Sequence, residues 1–333
     1  MRKLALFLFT AIMIVSFTAC AARPAAVSVT PSATPVAVDD IEQPKGPQIG
    51  VSLAGEDGFY EQLTAEISAA CSSYGYEVSV VSADTGDKQK ADIQAFLSAG
   101  VSVMVIDPVD VDVLETALAE CDTDGVPVIN IIDSINGMVS TLISPDYIEV
   151  GKAAGTRAMA LYGETGGACL ELKTDYDSFI MQLKSDGFRS ALGKDGKVTA
   201  AVEKYCGADE EMAYESVKTE LGLGSVSFIF AHSATLAHGA IRAIGESGKE
   251  VSLVVYGADH SIMDALSSGV VDMALFIDPA QTAKLAIADA DGYIKNSAYV
   301  PAQYQPLTVY AVTAENVAQY YTAGNAYAKA PAQ

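Results

Sequence analysis

"QIGVSLAGEDGFYEQLTAEISAACSSYG", residues 48–75, decides the fold. It opens on a short apolar strand, QIGVSL, turns through AGEDGFY, and continues as an amphipathic helix that Gly75 stops. In a nucleotide-binding βα unit such a turn would be a glycine-rich phosphate cradle. Here it carries two acids, Glu56 and Asp57, and two aromatics, Phe59 and Tyr60. A phosphate is a poor match for it.

The same unit recurs outward from this stretch. YEVSVVS, VSVMVID and VPVINIID alternate with helices over DKQKADIQAFLSAG and DVDVLETALAECD, and Gly100 and Gly125 mark helix ends. Short Val/Ile-rich strands of nearly continuous apolar character indicate parallel strands covered on both faces. GMVSTLIS then leads into the helix DYIEVGKAAGTRAMALYG, and a second series begins: GGACLELK, KVTAAVEKY, VSFIFA, VSLVVYGA and VVDMALFI, again with helices between. The expected fold is α/β, two doubly wound parallel-sheet lobes. Ligands of open α/β sheets bind beyond the carboxyl ends of the strands, so two facing lobes make a cleft, and GEDGFY lies at one such end.

The 333 residues are half hydrophobic, enough for a sizeable core, and carry a formal charge of −22. That charge excludes non-specific nucleic-acid binding, which needs Lys and Arg against phosphate. MRK, an apolar run of 14 residues and TAC form the three-part layout of a secretory signal over residues 1–20. The run is shorter than the roughly 20 residues a spanning helix needs. FTAC resembles a bacterial lipobox, with Cys20 the lipidated new N-terminus; an ordinary signal with a chance cysteine is the alternative. Residues 21–46, rich in Pro, Ala, Ser and Thr, read as a disordered tether. Of the remaining cysteines, Cys71 and Cys121 fall on helices and Cys169 and Cys206 on strands, too sparse for a disulfide framework. No CxxC or Cys/His cluster suggests a metal.

GFYEQL, VSVMVIDPVD, GVPVINIID, SPDYIEVGKAAG, DGFRSAL, FIFAHSATLAHGAIRAIGESGK, VVYGAD and VTAENVAQYY occur in that order. The series resembles the sugar-binding branch of the type I periplasmic binding proteins, of the ribose-binding-protein kind. A lipobox and tether before such a fold is similar to the lipoprotein subunit of an ABC importer. The resemblance implies a three-crossing hinge, with crossings near Ser144, Ile277 and Gln305. The lobes are then 47–144 plus 278–305 and 145–277 plus 306–322. It also implies a small-molecule ligand, a neutral sugar, an ABC permease as partner, an extracytoplasmic, membrane-anchored monomer, and no cofactor.

Carried over residue by residue, the aromatic pair that covers the sugar ring falls on Phe59 and Tyr60. Asp57 and Asp107 stand where the ribose protein has amides, and either could instead cap a helix. Asp133 and Asp259 match aspartates that accept sugar hydroxyls. Ser134 and Gln182 replace expected arginines, Ser233 an asparagine and Ile277 a glutamine. The implied pocket is acidic and poor in donors. His232 and His260 end neighbouring strands beside Asp259, whereas His238, six residues past His232, is expected to face elsewhere on its helix.

An enzyme is the competing class. There is no GxSxG elbow, and no histidine has a signature partner. Acids paired across the cleft, Asp57 and Asp133 against Asp259, would suit a sugar-active hydrolase. A sensor presenting its ligand-bound state to a membrane receptor kinase is the other alternative.

Overall fold

The computed structural model describes residues 48–135, 139–174 and 179–331. The expected signal segment, Cys20 and the tether lie outside the described residues. The first lobe is built from β1 (Gln48–Leu53), α1 (Gly58–Tyr74), β2 (Glu77–Ser82), α2 (Gly86–Ala99), β3 (Val103–Ile106), α3 (Val111–Asp124), β4 (Val128–Ile131) and β5 (Thr141–Pro145). The second follows with α4 (Tyr147–Tyr162), β6 (Gly167–Lys173), α5 (Phe179–Ala191), β7 (Val198–Tyr205), α6 (Glu210–Leu223) and β8 (Phe228–Ala231). It continues through α7 (Ala234–Ser247), β9 (Ser252–Tyr256), α8 (His260–Ser267) and β10 (Met273–Ile277). The chain then returns through α9 (Pro279–Lys295) and β11 (Tyr304–Leu307) before β12 (Val309–Val312).

The strands form two sheets of six, ordered β11-β5-β4-β3-β1-β2 and β12-β10-β9-β8-β6-β7. All pairs in the first are parallel; in the second only β12, on the edge, runs antiparallel to its neighbour. This is the expected pair of doubly wound lobes. Period-two alternation explains why the strands read as unbroken apolar runs. Val103 and Val105 face one core with Leu63 and Ile67 of α1, while Met104 and Ile106 face another with Ile93 of α2 and Leu114 of α3. Burying each such side chain contributes about 1.5–3 kcal/mol. Gly75, Gly100 and Gly125 end α1, α2 and α3 with φ of 78°, 74° and 69°, the left-handed conformation that favours glycine.

The four cysteines at 71, 121, 169 and 206 are free and buried, and burial pushes the Cys71 and Cys121 thiols up to about 11. Cys206 stands just beyond β7 rather than on a strand.

The chain passes between lobes through one residue each time: Asp146 between β5 and α4, Asp278 between β10 and α9, and Thr308 between β11 and β12. The third passage therefore lies beyond Gln305. Pro306 and Leu307, expected in the second lobe, pair with Ser144 and Pro145 in the first sheet, because the ladder with β5 continues to Leu307. Nor does the second lobe end at residue 322, since Tyr327 and Ala328 belong to its core.

Candidate ligand-binding site

A cavity of about 300 Å³ lies between the lobes at the carboxyl ends of the strands. The first lobe lines it with Asp57, Phe59, Tyr60, Ile132 and Asp133. The second brings Tyr147, Lys184, His232, Ser233, Tyr256 and Asp259, together with Thr174, Ile180, Met181, Ala234 and Gly257. Ile277 and Tyr327 complete it.

The turn AGEDGFY forms one wall. Asp57 caps α1, its Oδ1 accepting from the backbone N–H groups of Phe59 and Tyr60 at 3.0 and 3.3 Å. Capping and cavity lining thus coincide in one residue. Burial raises the Asp57 carboxyl against these two bonds. Phe59 packs on the cores of both lobes, and its ring stands edge-on to Tyr60, centroids 5.2 Å apart. Gly55 makes room for the second ring, since a Cβ there would lie 2.6 Å from Tyr60.

Tyr60 is fixed from behind. Its hydroxyl donates to Asp107 Oδ2 at 2.7 Å, and Asp107 Oδ1 accepts from the Asp133 N–H at 3.3 Å. Asp107 is thus a buried support, 1% exposed, and not part of the cavity wall. Burial and then the Asp133 charge hold its carboxyl well above the usual range.

Asp133 follows Ile132, the one non-glycine residue with positive φ among the described residues, at 63°. A β-branched residue there is strained, a cost of order 1–3 kcal/mol that its surroundings must hold. They do so through a bond from the Ile132 N–H to the Ile143 carbonyl at 2.8 Å and the Ser144 hydroxyl donating to the Ile132 carbonyl. The result aims the Asp133 carboxylate inward, where the Tyr147 hydroxyl donates to it at 3.0 Å. Burial raises this carboxyl; Lys184 and Tyr147 oppose the rise. Ser134, its neighbour, is not among the lining residues.

Lys184 is the donor that sequence reasoning missed. Gln182, two residues earlier, stands where the resemblance places an arginine. Two residues turn a helix by about 200°, so Gln182 is exposed on α5 while Lys184 points into the protein, 2% exposed. Its Nζ donates to the His232 carbonyl at 3.1 Å and lies 4.8 Å from the Tyr256 ring centroid. Burial brings its pKa down to about 7, with Asp133 opposing. The cavity is therefore acidic but not without a cationic donor.

Ser233 caps α7 by accepting from the Leu236 N–H, and Asp259 caps α8 by accepting from the Ile262 N–H. His238 does not face away: its Nε2 lies 3.0 Å from Asp259 Oδ2. Six residues bring it round because α7 starts at the cleft. Asp259 raises the imidazole, and the pair keeps Asp259 below its ordinary value despite burial. His232 sits behind, its Nε2 3.2 Å from Glu171 Oε2, and burial drops it to about 4. Among the described residues no three or more His, Cys, Asp or Glu side chains are grouped to hold a metal. Tyr147, Tyr256 and Tyr327 also escaped the sequence reading. Each is a single aromatic in an ordinary helix, strand or tail, with no local signal that it faces the cleft.

Residues 49–298 match the model of a periplasmic binding protein domain. The ribose import binding protein of Bacillus subtilis is 25% identical over 247 residues, covering 73% of this chain and 80% of that protein. A putative rhizopine-binding protein of Rhizobium meliloti is 24% identical over 251 residues, 70% of this chain and 78% of its own. Among solved structures, an ABC transporter solute binding protein from Mycobacterium smegmatis with bound glycerol superposes with a TM-score of 0.78 at 21% identity, covering 85% of this chain and all of that one. Another from Bacillus halodurans with bound myo-inositol gives 0.75 at 18% identity, over 83% and 97%. These likenesses carry the fold, and the family match spans well over half of the sequence: the chain belongs to the periplasmic binding protein domain family.

Proposed function

We propose that this protein is the extracytoplasmic solute-binding component of an ABC importer, a lipoprotein anchored through Cys20 that captures a neutral ring-shaped sugar or polyol. The observation that carries this reading is the cavity itself. Aromatic faces at Phe59, Tyr60, Tyr147, Tyr256 and Tyr327 stand beside acceptors at Asp57, Asp133 and Asp259 and one buried donor at Lys184. Sugar C–H faces bury apolar area on aromatic rings. Carboxylates accept ring hydroxyls in charge-assisted bonds, each contributing about 1.5–3 kcal/mol.

Three acids against one amine disfavour sugar phosphates and sugar acids. Relatives named for ribose import, and neighbours bound to arabinofuranose, allose and myo-inositol, support small neutral polyols as the class. Homologues named as binding proteins support capture without turnover. Among the described residues no helix is long and apolar enough to cross a membrane. Attachment is assigned to the lipobox-like FTAC.

A thermal-shift screen of pentoses, hexoses, inositols and their phosphates tests the reading. Ligand at a hundred times its Kd adds about 2.7 kcal/mol of stability. Stabilisation by phosphorylated or carboxylated compounds only, or turnover of a sugar conjugate, would overturn it.

A further inference from the structure

The chain continues past β12, and this C-terminal segment lies outside the family match, which ends at residue 298. Residues 320–330 are stitched to the second lobe by backbone bonds. The Ala328 N–H donates to the Ala258 carbonyl at 3.0 Å and the His260 N–H to the Ala326 carbonyl at 3.1 Å, while the Lys329 N–H closes the segment on itself at the Tyr320 carbonyl, 2.8 Å away. Tyr327 and Asp259 form an antiparallel bridge.

The same segment touches the first lobe. The Tyr327 ring stands edge-on to Phe59, centroids 5.4 Å apart. The Ala326 carbonyl approaches Gly58 so closely that a Cβ there would lie 3.0 Å from it. Lys329 Nζ lies 3.3 Å from Glu66 Oε1 on α1. The Ala330 N–H reaches Asp278, the residue of the second passage.

We propose that residues 320–330 are a strap, a fourth link between the lobes, and that Tyr327 on it sets how large a ring ligand the cavity accepts. This rests on the cavity being a sugar site. The division of contacts supports the strap. Those to the second lobe are mainly ladder-like backbone bonds, which hold whatever the lobes do. Those to α1 are a ring edge, a close approach and an exposed ion pair, which separate when the lobes part. The passages at Asp146, Asp278 and Thr308 are single residues that allow rotation, so contacts outside them bear on the open–closed balance. Tyr327 is 5% exposed, between Phe59 and Phe276, and its bridge partner Asp259 lines the same cavity. Removing its ring enlarges the cavity beside Phe59.

The test uses the full chain carrying Cys20→Ala, with spin labels on Ser98→Cys and Thr219→Cys, exposed positions on α2 and α6. The other cysteines are buried. Without ligand, Lys329→Glu, Tyr327→Ala and a chain ended after Ala323 are expected to shift the interlobe distance distribution toward longer values. Lys329→Glu changes only a surface pair and guards against a folding failure. Unchanged distributions would overturn the strap. By calorimetry with D-ribose, D-allose and myo-inositol, Tyr327→Ala should weaken the parent's preferred ligand about tenfold and change the order of preference among the three. Tyr327→Phe should retain that order. An unchanged order in Tyr327→Ala overturns the ring-size role. If none of the three binds the parent, the ring-size role falls for these ligands, the thermal-shift screen decides the sugar reading separately, and the distances still decide the strap.

Discussion

Lys184 Nζ donates to the backbone carbonyl of His232 at 3.1 Å, joining α5 to the end of β8 inside the cavity wall. The bond places a fully buried amine beside Asp133 and between the rings of Tyr147 and Tyr256.

That placement costs stability when the amine is charged. Burial lowers the Lys184 pKa from 10.5 to about 7, so between these values the folded chain holds fewer protons than the unfolded one. Stability from this group therefore rises with pH across that window, and the penalty is complete below about 7. Lys184→Met is expected to gain on the parent by about 3 kcal/mol more at pH 6 than at pH 9.5. Urea denaturation at the two pH values measures this. A pH-independent difference would show that the amine is not desolvated.

The acid side should show two limbs. His232 is held at about 4 by burial, so its contribution is complete above 6.5 and is lost as pH falls from 6.5 through 4. Burial raises Glu171, but His232, Ser185 and Lys173 outweigh it and hold the carboxyl at about 2, so its contribution is lost between 4.5 and 2. His232→Gln is expected to flatten the first limb by roughly 3 kcal/mol and, because His232 is the main group holding Glu171 down, to shrink the second as well. Thermal melts from pH 7 to 3 separate them.

Asp133→Asn retains a side-chain oxygen for the Tyr147 hydroxyl but loses the charged acceptor. It should weaken a bound sugar about tenfold or more while leaving Tm within a few degrees. Phe59→Ala should weaken binding and also loosen both cores. Calorimetry with any hit of the thermal-shift screen decides, and full affinity in both variants would remove the turn and Asp133 from the site.

Gly55→Ala would place a Cβ against the Tyr60 ring. The ring must move, and with it the hydroxyl that donates to Asp107. The expected cost is about 1–3 kcal/mol of stability together with weaker ligand binding. Melts of Gly55→Ala and of Gly55→Ala/Tyr60→Ala check it: the second substitution should recover the steric part.

Cys20→Ala should release the protein from the membrane fraction in the native host, and the wild-type mature chain should begin at Cys20. Fractionation and N-terminal mass spectrometry measure both. A soluble wild type with another N-terminus would refute the anchor.

The sequence by itself determined the two lobes, because strand and helix periodicity are local properties that parallel sheets covered on both faces impose on every element. Its resemblance to the sugar-binding proteins also marked Asp57, Phe59, Tyr60, Asp133, Ser233 and Asp259, and these line the cavity because each stands at the carboxyl end of a strand, where the winding of the sheet fixes the position of the cleft. Only the tertiary structure decided the rest. Lys184 rather than Gln182 enters the cavity because the phase of α5 is set by Phe188 and Ile180 packing on the second sheet. Asp107 serves as a support because Tyr60, from a different βα unit, reaches over it. His238 meets Asp259, and Tyr327 meets Phe59, across 21 and 268 residues of chain respectively. Such convergence depends on how whole elements dock, and no periodicity along the chain encodes it.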